Sequence, residues 1–178
     1  TRMKGLPYKI AGLLLIFFSL TYGLWSEVPE LPIIEQSIRN LFYHVSMWFA
    51  MVAMMAASFG NAIGFLSSEN IARDIRSISL AETGMFFSVM GLLTGMLWAK
   101  FTWGAWWTND PKLNGTAITM LIYLAYFVLR NSIDDPRKRA RISGVYNIFA
   151  FVMMIVFIGI LPRMTDSLHP GNGGNPGF

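Results

Sequence analysis

Few side chains in this chain are equipped for chemistry. His44 and His169 are its only histidines, and it has no cysteine. Trp103, Trp106 and Trp107 fall within five residues and are followed by Asp110. Without cysteine there is no disulfide scaffold, zinc ribbon, iron–sulfur site or dithiol redox pair. No Ser-His-Asp set, phosphate loop or paired carboxylates stand out, so acid–base or nucleophilic catalysis has no obvious carrier. Two imidazoles are another matter, because histidine is a common axial ligand of haem iron and two can hold it from opposite faces. A zinc site needs more ligands. Asp110 and Asp166 would have to complete one, and no tight His/Asp spacing supports it. The indole cluster has two readings. Tryptophans anchor proteins at the membrane–water interface, and they also form flat apolar surfaces suited to a planar aromatic ligand. Physics alone leaves both open.

These residues need elements to position them, and composition says which kind. Of 178 residues, 54% are hydrophobic, 15% aromatic and only 13% charged. A soluble domain carries about twice that charge, and a disordered chain lacks the apolar bulk. The fold class is therefore all-α, a polytopic membrane helix bundle. Five segments are long and apolar enough to span: residues 10–25, 41–66, 80–101, 115–129 and 144–161. The first has a basic start but lacks a small-x-small cleavage site, so it reads as a retained span. That leaves inner loops at 67–79 and 131–143. The outer segments are 26–40, a Trp-rich loop 102–114, and a tail 162–178.

Charge orients the bundle. With the N-terminus inside, the inner side holds Arg2, Lys4, Lys9, Arg73, Arg76, Arg130, Arg137, Lys138, Arg139 and Arg141. The outer side holds only Arg39, Lys100, Lys112 and Arg163. The positive-inside rule then places the N-terminus in the cytoplasm. The run Arg137 to Arg141 reads as a cytoplasmic flank beside a span, not a nucleic-acid patch. His44, at the outer end of the second span, and His169, in the tail, then face the compartment of the Trp-rich loop. Arg39 and Lys112 are outside too, where they can meet carboxylates or snorkel to lipid phosphates. Glu82 is the one candidate for an intramembrane site, and a first-turn carboxylate at a helix N-terminus is the plainer account. The chain starts with Thr and ends HPGNGGNPGF, a loop composition that leads elsewhere. A further span is expected beyond residue 178, and 1–178 is expected to be a single integral-membrane domain.

Trp103-Gly104-Ala105-Trp106-Trp107-Thr108-Asn109-Asp110 resembles the WGxWWxWD signature of the haem-handling, WWD-type superfamily. Within it, the short six-span type is the CcmC, or haem exporter protein C, family. Arg39 to Met47 resembles that family's R-x4-HVPM segment, Asp110-Pro111-Lys112-Leu113 its D-x-R-L, and Ser167-Leu168-His169 its second histidine motif. The resemblance implies that haem b, as transient cargo, is held on the outer face of the inner (plasma) membrane. His44 and His169 would be the axial iron ligands and Trp103, Trp106, Trp107 and Asp110 the platform, with Arg39 and Lys112 at the family's basic positions. It also implies presentation to a CcmE-like haem chaperone, which bonds the haem covalently, alongside ABC-type subunits like CcmA and CcmB and a small CcmD-like protein. Three residues depart from the pattern. Asn109 stands where the signature has a tryptophan. Lys112 replaces an arginine and cannot make the bidentate carboxylate contact. Ser46 replaces the proline of HVPM.

Three other functions are compatible with parts of the sequence. A CcsA-like cytochrome c synthase shares the Trp signature but has more spans and further membrane histidines. A bis-His electron-transfer cytochrome would place its histidines at mid-bilayer depth. A permease subunit would show charge or broken helices at the midplane. The expected role is haem presentation, with orientation and not acid–base groups as the contribution to any bond formed there.

Overall fold

The computed structural model describes residues 5–29 and 34–169, and every regular element among them is helical. α1 is Leu6–Trp25, α2 Asn40–Ser68, α3 Ile71–Trp103, α4 Pro111–Asn131 and α5 Pro136–Met154. A 3-10 turn, Glu35–Arg39, leads into α2. After α5 the helix continues through a π-helical turn, Ile155–Ile160, into the short α6, Leu161–Met164. Five of these helical stretches are long and apolar enough to cross a membrane.

The spans begin where local chemistry says they should. Asn70 caps α3 by accepting the Ala72 N–H at 3.0 Å. Asp110-Pro111 opens α4 and Asp135-Pro136 opens α5, Asp110 accepting the Lys112 and Leu113 N–H groups, Asp135 the Lys138 N–H, and each proline taking a position with no helical donor to lose. α3 ends at Gly104, whose φ of +80° is a left-handed stop that a side chain would strain.

The helices run further than hydropathy alone indicates. The inner connectors expected at 67–79 and 131–143 shrink to residues 69–70 and 132–135, and the Trp-rich loop to residues 104–110. The reason is length: α3 has 33 residues, about 50 Å of helix at 1.5 Å per residue, against a hydrocarbon layer of about 30 Å. Its polar ends stay helical beyond the greasy part. Glu82 is therefore not a first-turn residue. It lies well inside α3, exposed, while Asp74 occupies the first turn. The basic run Arg137 to Arg141 lies in the first turns of α5, not in a loop. Arg2, Lys4 and the tail beyond His169 fall outside the described residues.

Short connectors force α2 to α5 into an antiparallel up-and-down bundle. Its core is Met51, Met55, Ala81, Tyr123, Tyr126, Ala150 and Met154. Where α2, α3 and α5 meet, three polar side chains interlock. Ser58 donates to the Ser77 carbonyl at 2.7 Å and Ser77 to the Ser58 carbonyl at 2.9 Å, while Asn147 donates to both hydroxyls at 2.8 and 2.9 Å. Interhelical hydrogen bonds of this kind tie spans together where no hydrophobic difference separates helix from lipid. At the end where α3 starts and α4 stops, Arg130 grips Asp74 through two hydrogen bonds of 2.7 and 2.6 Å, both residues being buried. α1 stands apart with its apolar side chains exposed. It is attached at its C-terminal end, where Tyr43 donates to the Leu20 carbonyl at 3.0 Å.

Candidate functional site

The antiparallel arrangement carries the start of α2, the end of α3, the start of α4 and the segment after α6 to one end of the bundle. His44, Trp98, Trp103, Asp110 and His169 all belong to those pieces. The site follows from how each is held.

Asp110 is the organising residue. It is 2% exposed. One carboxylate oxygen accepts the Lys112 and Leu113 N–H groups at 2.9 and 3.3 Å and faces Nδ1 of His169 at 2.9 Å. The other accepts the Ser167 hydroxyl at 2.8 Å and the Leu168 N–H at 2.7 Å. Burial works against the charged carboxyl. The bonds from Ser167, the imidazole of His169 and the two backbone donors more than offset it, so the Asp110 carboxyl titrates below the usual carboxylate range. A side chain so fully engaged within the protein has no oxygen to spare for a ligand. Asp110 therefore fixes the 167–169 segment onto the α4 N-terminus.

His169 is held by that anchor. Burial pushes its imidazole below the ordinary value, the Asp110 carboxylate pulls it back up, and Lys112 lowers it again. The net direction is down, so the neutral ring prevails near neutrality. Neutral, with Nδ1–H donated to Asp110, it leaves Nε2 as a lone-pair donor, and no hydrogen bond engages Nε2 among the described residues. A carboxylate behind a histidine in this way fixes the tautomer and strengthens the imidazole as a metal ligand. The indole of Trp103 packs edge-on against the ring, with centroids 5.1 Å apart.

His44 is held differently. Its Nδ1 lies 3.0 Å from the Gly91 carbonyl and 3.2 Å from the Thr94 hydroxyl, and its Nε2 accepts the Trp48 indole N–H at 3.1 Å. The ring fits against α3 because residue 95 is glycine, where a Cβ would approach Cε1 of His44 to 2.7 Å. Trp98 packs on its edge with centroids 5.9 Å apart, and the Trp98 indole N–H is buried with no partner among the described residues. The two imidazoles and the Lys112 ammonium are near enough to interact electrostatically.

The remaining expected residues separate into two groups. Trp106 and Trp107 are 52% and 42% exposed, an open pair of indoles in the loop between α3 and α4. Trp107 donates to Asn114 at 3.2 Å, and Asn114 donates to Asn109 at 2.7 Å. Asn109 thus braces the loop instead of extending its aromatic surface. Lys112 makes no side-chain ion pair or hydrogen bond among the described residues, which suits it to meet a carboxylate of a ligand. Arg39 is committed elsewhere. Its guanidinium bonds Gln36 at 2.9 Å and the carbonyls of Gly23 and Ser26 at the end of α1, where a helix C-terminus favours a cation. Among the described residues no three His, Asp or Glu side chains gather within reach of one metal ion.

Sequence reasoning passed over Trp48, Trp98, Thr94 and the glycines of α3. Only one signal was available: Trp48 follows His44 by four residues, the spacing that stacks side chains on one helix face.

The family model described as Heme exporter protein C matches residues 4–172. A Heme exporter protein C from Bradyrhizobium diazoefficiens is 28% identical over 145 residues, covering 80% of this chain and 54% of that protein. One from Rhodobacter capsulatus is 23% identical over 173 residues, covering 97% of this chain and 71% of that protein. The cytochrome c biogenesis protein CcsA of Prochlorococcus marinus is 35% identical over 98 residues, 55% of this chain and 30% of that protein. The chain thus spans between about half and about seven tenths of the length of the Heme exporter protein C relatives it matches.

Proposed function

This chain belongs to the Heme exporter protein C family, and from that premise we propose that it holds haem b as cargo between His44 and His169 and presents it to a CcmE-like haem chaperone. The family supports haem handling in cytochrome c maturation. The observation that carries the finer reading is the His169 ring, clamped through Nδ1 to buried Asp110 with Nε2 open beside Trp103. Trp103, Trp106 and Trp107 offer indole faces to the porphyrin, and Lys112 offers an ammonium to a propionate. Asp110 acts through His169, and Arg39 acts by holding α1 to the start of α2.

Iron supplies the bonds to the imidazoles, and the chain supplies their placement. The positive-inside bias supports an outer, periplasmic position for this end of the bundle and a cytoplasmic N-terminus. An open shelf suits a protein that hands its cargo on, since a chaperone can reach the porphyrin edge without unfolding the holder. CcmA-, CcmB- and CcmD-like proteins are the partners this role calls for. The chain acts as a haem-presenting factor. It contributes orientation and no acid–base pair.

The test is a visible spectrum of the detergent-purified chain titrated with hemin. The unsubstituted chain is expected to give a six-coordinate low-spin spectrum, and His44→Ala with His169→Ala to abolish it. Unchanged hemin retention and spectrum in the double variant would refute the ligation.

A further inference from the structure

The two proposed ligands differ in readiness. His169 presents an open Nε2, whereas the Nε2 of His44 is already occupied by the Trp48 indole N–H at 3.1 Å. We propose that Trp48 is a positioning residue that competes with iron for Nε2 of His44, holding that ligand in reserve and recapturing it when haem leaves. The inference rests on the bis-His reading above and adds an asymmetry to it: His169 is the anchor and His44 the releasable arm.

The local geometry is built for an exchange. Trp48 and His44 are four residues apart on one face of α2, with ring centroids 5.9 Å apart and planes at 74°. Both rings lie against glycines of α3. A Cβ at Gly91 would stand 3.2 Å from Cε2 of Trp48, and one at Gly95 would stand 2.7 Å from Cε1 of His44. The seat therefore fits these two rings and excludes side chains that would push them apart. Nδ1 of His44 faces the Gly91 carbonyl, so its proton is on Nδ1 and the lone pair on Nε2. That is the tautomer iron requires. Swapping the indole N–H for iron then moves no proton: one hydrogen bond is released and one coordinate bond forms, and the reverse happens on release. A neutral hydrogen bond is strong enough to bias this exchange and too weak to forbid it. The His169 clamp has no such competitor, because its hydrogen bond to Asp110 uses the other ring nitrogen.

The experiment uses the full chain in detergent with hemin as probe and apomyoglobin as acceptor. Trp48→Phe keeps an aromatic ring and removes the N–H together with part of the indole, and the His44→Ala background separates the two losses. The substitution is expected to tighten hemin binding and slow its transfer by about fivefold, the factor set by one neutral hydrogen bond. In a His44→Ala background the same substitution should change nothing. Trp48→Phe with wild-type transfer, or with an equal effect in both backgrounds, overturns the proposal. If His44→Ala alone leaves the hemin spectrum untouched, the ligation reading fails, and this inference with it. If only the Trp48→Phe arms fail, the ligation reading survives. A second measurement reads the indole directly. Ultraviolet resonance Raman of the unsubstituted chain, with Trp48→Phe identifying the band, should show a hydrogen-bonded indole N–H that is lost on adding hemin and kept on adding iron-free protoporphyrin. Retention of that band with hemin bound overturns the proposal as well.

Discussion

Replacing Asp110 with asparagine is nearly isosteric, yet it should disable the anchor side of the site. The carboxylate receives five donors: three on one oxygen, from Lys112, Leu113 and His169, and two on the other, from Ser167 and Leu168. An amide offers one acceptor atom and one NH2 group. If its oxygen faces His169, the NH2 meets the Leu168 N–H, donor against donor. If the amide is reversed, the NH2 faces Nδ1 of His169 and drives the ring proton to Nε2, the atom proposed to bind iron. Either orientation costs about 1–3 kcal/mol for a buried donor that loses its partner, or roughly 5- to 150-fold in the population of the docked segment. Hemin affinity of Asp110→Asn, followed by Soret absorbance, should fall by that factor, while helical circular dichroism stays at the wild-type level. The loss should be absent in a His169→Ala background. Wild-type hemin affinity and spectrum in Asp110→Asn, or an equal loss without His169, would refute the chain of reasoning from carboxylate to ring to iron.

Other outcomes follow from the same structure. Arg130→Met leaves Asp74 buried without its partner and should destabilise the bundle in detergent by about 3–5 kcal/mol. Adding Asp74→Leu should recover much of that loss in thermal unfolding. The ligand-free chain should also have a defined acid response. His169 titrates below its ordinary 6.5, so its contribution to stability is complete above that value and is lost as pH falls below it, because the unfolded chain takes up the proton first. Asp110 also titrates low, from an ordinary 3.8, and its contribution disappears only in stronger acid. The melting temperature should be flat from about pH 8 to 7 and decline below about 6.5, with a smaller decline in His169→Gln. A melting temperature that rises on acidification would contradict the assignment.

Much of the site was legible because its carriers are rare residue types. Two histidines and a tryptophan cluster in a cysteine-free chain leave little else to do chemistry, and the signature around Trp103 to Asp110 gave them a family. The roles within the site were less legible. Asp110 and Arg39 read as ligand contacts, since sequence shows charge and not what already satisfies it. Trp48 read as one more apolar residue of a span, because a hydrogen bond between ring nitrogens leaves no hydropathy signal. Asn147 and Ser58 were silent for a related reason, because isolated small polar residues in an apolar run carry no period, and Ser77 fell in a stretch that reads as an inner loop. Asp74 and Arg130 are 56 residues apart, and only the antiparallel packing of α3 and α4 brings them together. The element boundaries missed in one direction. Hydropathy marks the stretch of helix in hydrocarbon and stops where the lipid headgroups start.

The π-helical turn at Ile155–Ile160 sets a rotational offset between α5 and residues 161–169. Its wide loop lets the Leu161 N–H reach the Val156 carbonyl and presses the Phe157 carbonyl into the notch at Gly115, where a Cβ would collide with it. Removing one residue from this stretch would restore ordinary α-helical winding and turn the following backbone by about 100°. Pro162 would leave its buried seat, and Ser167 and His169 would swing off the α4 N-terminus. The stretch from α5 to α6 thus behaves like a threaded shaft whose pitch is altered once, so that a histidine with no helix of its own arrives at the right angle over Asp110.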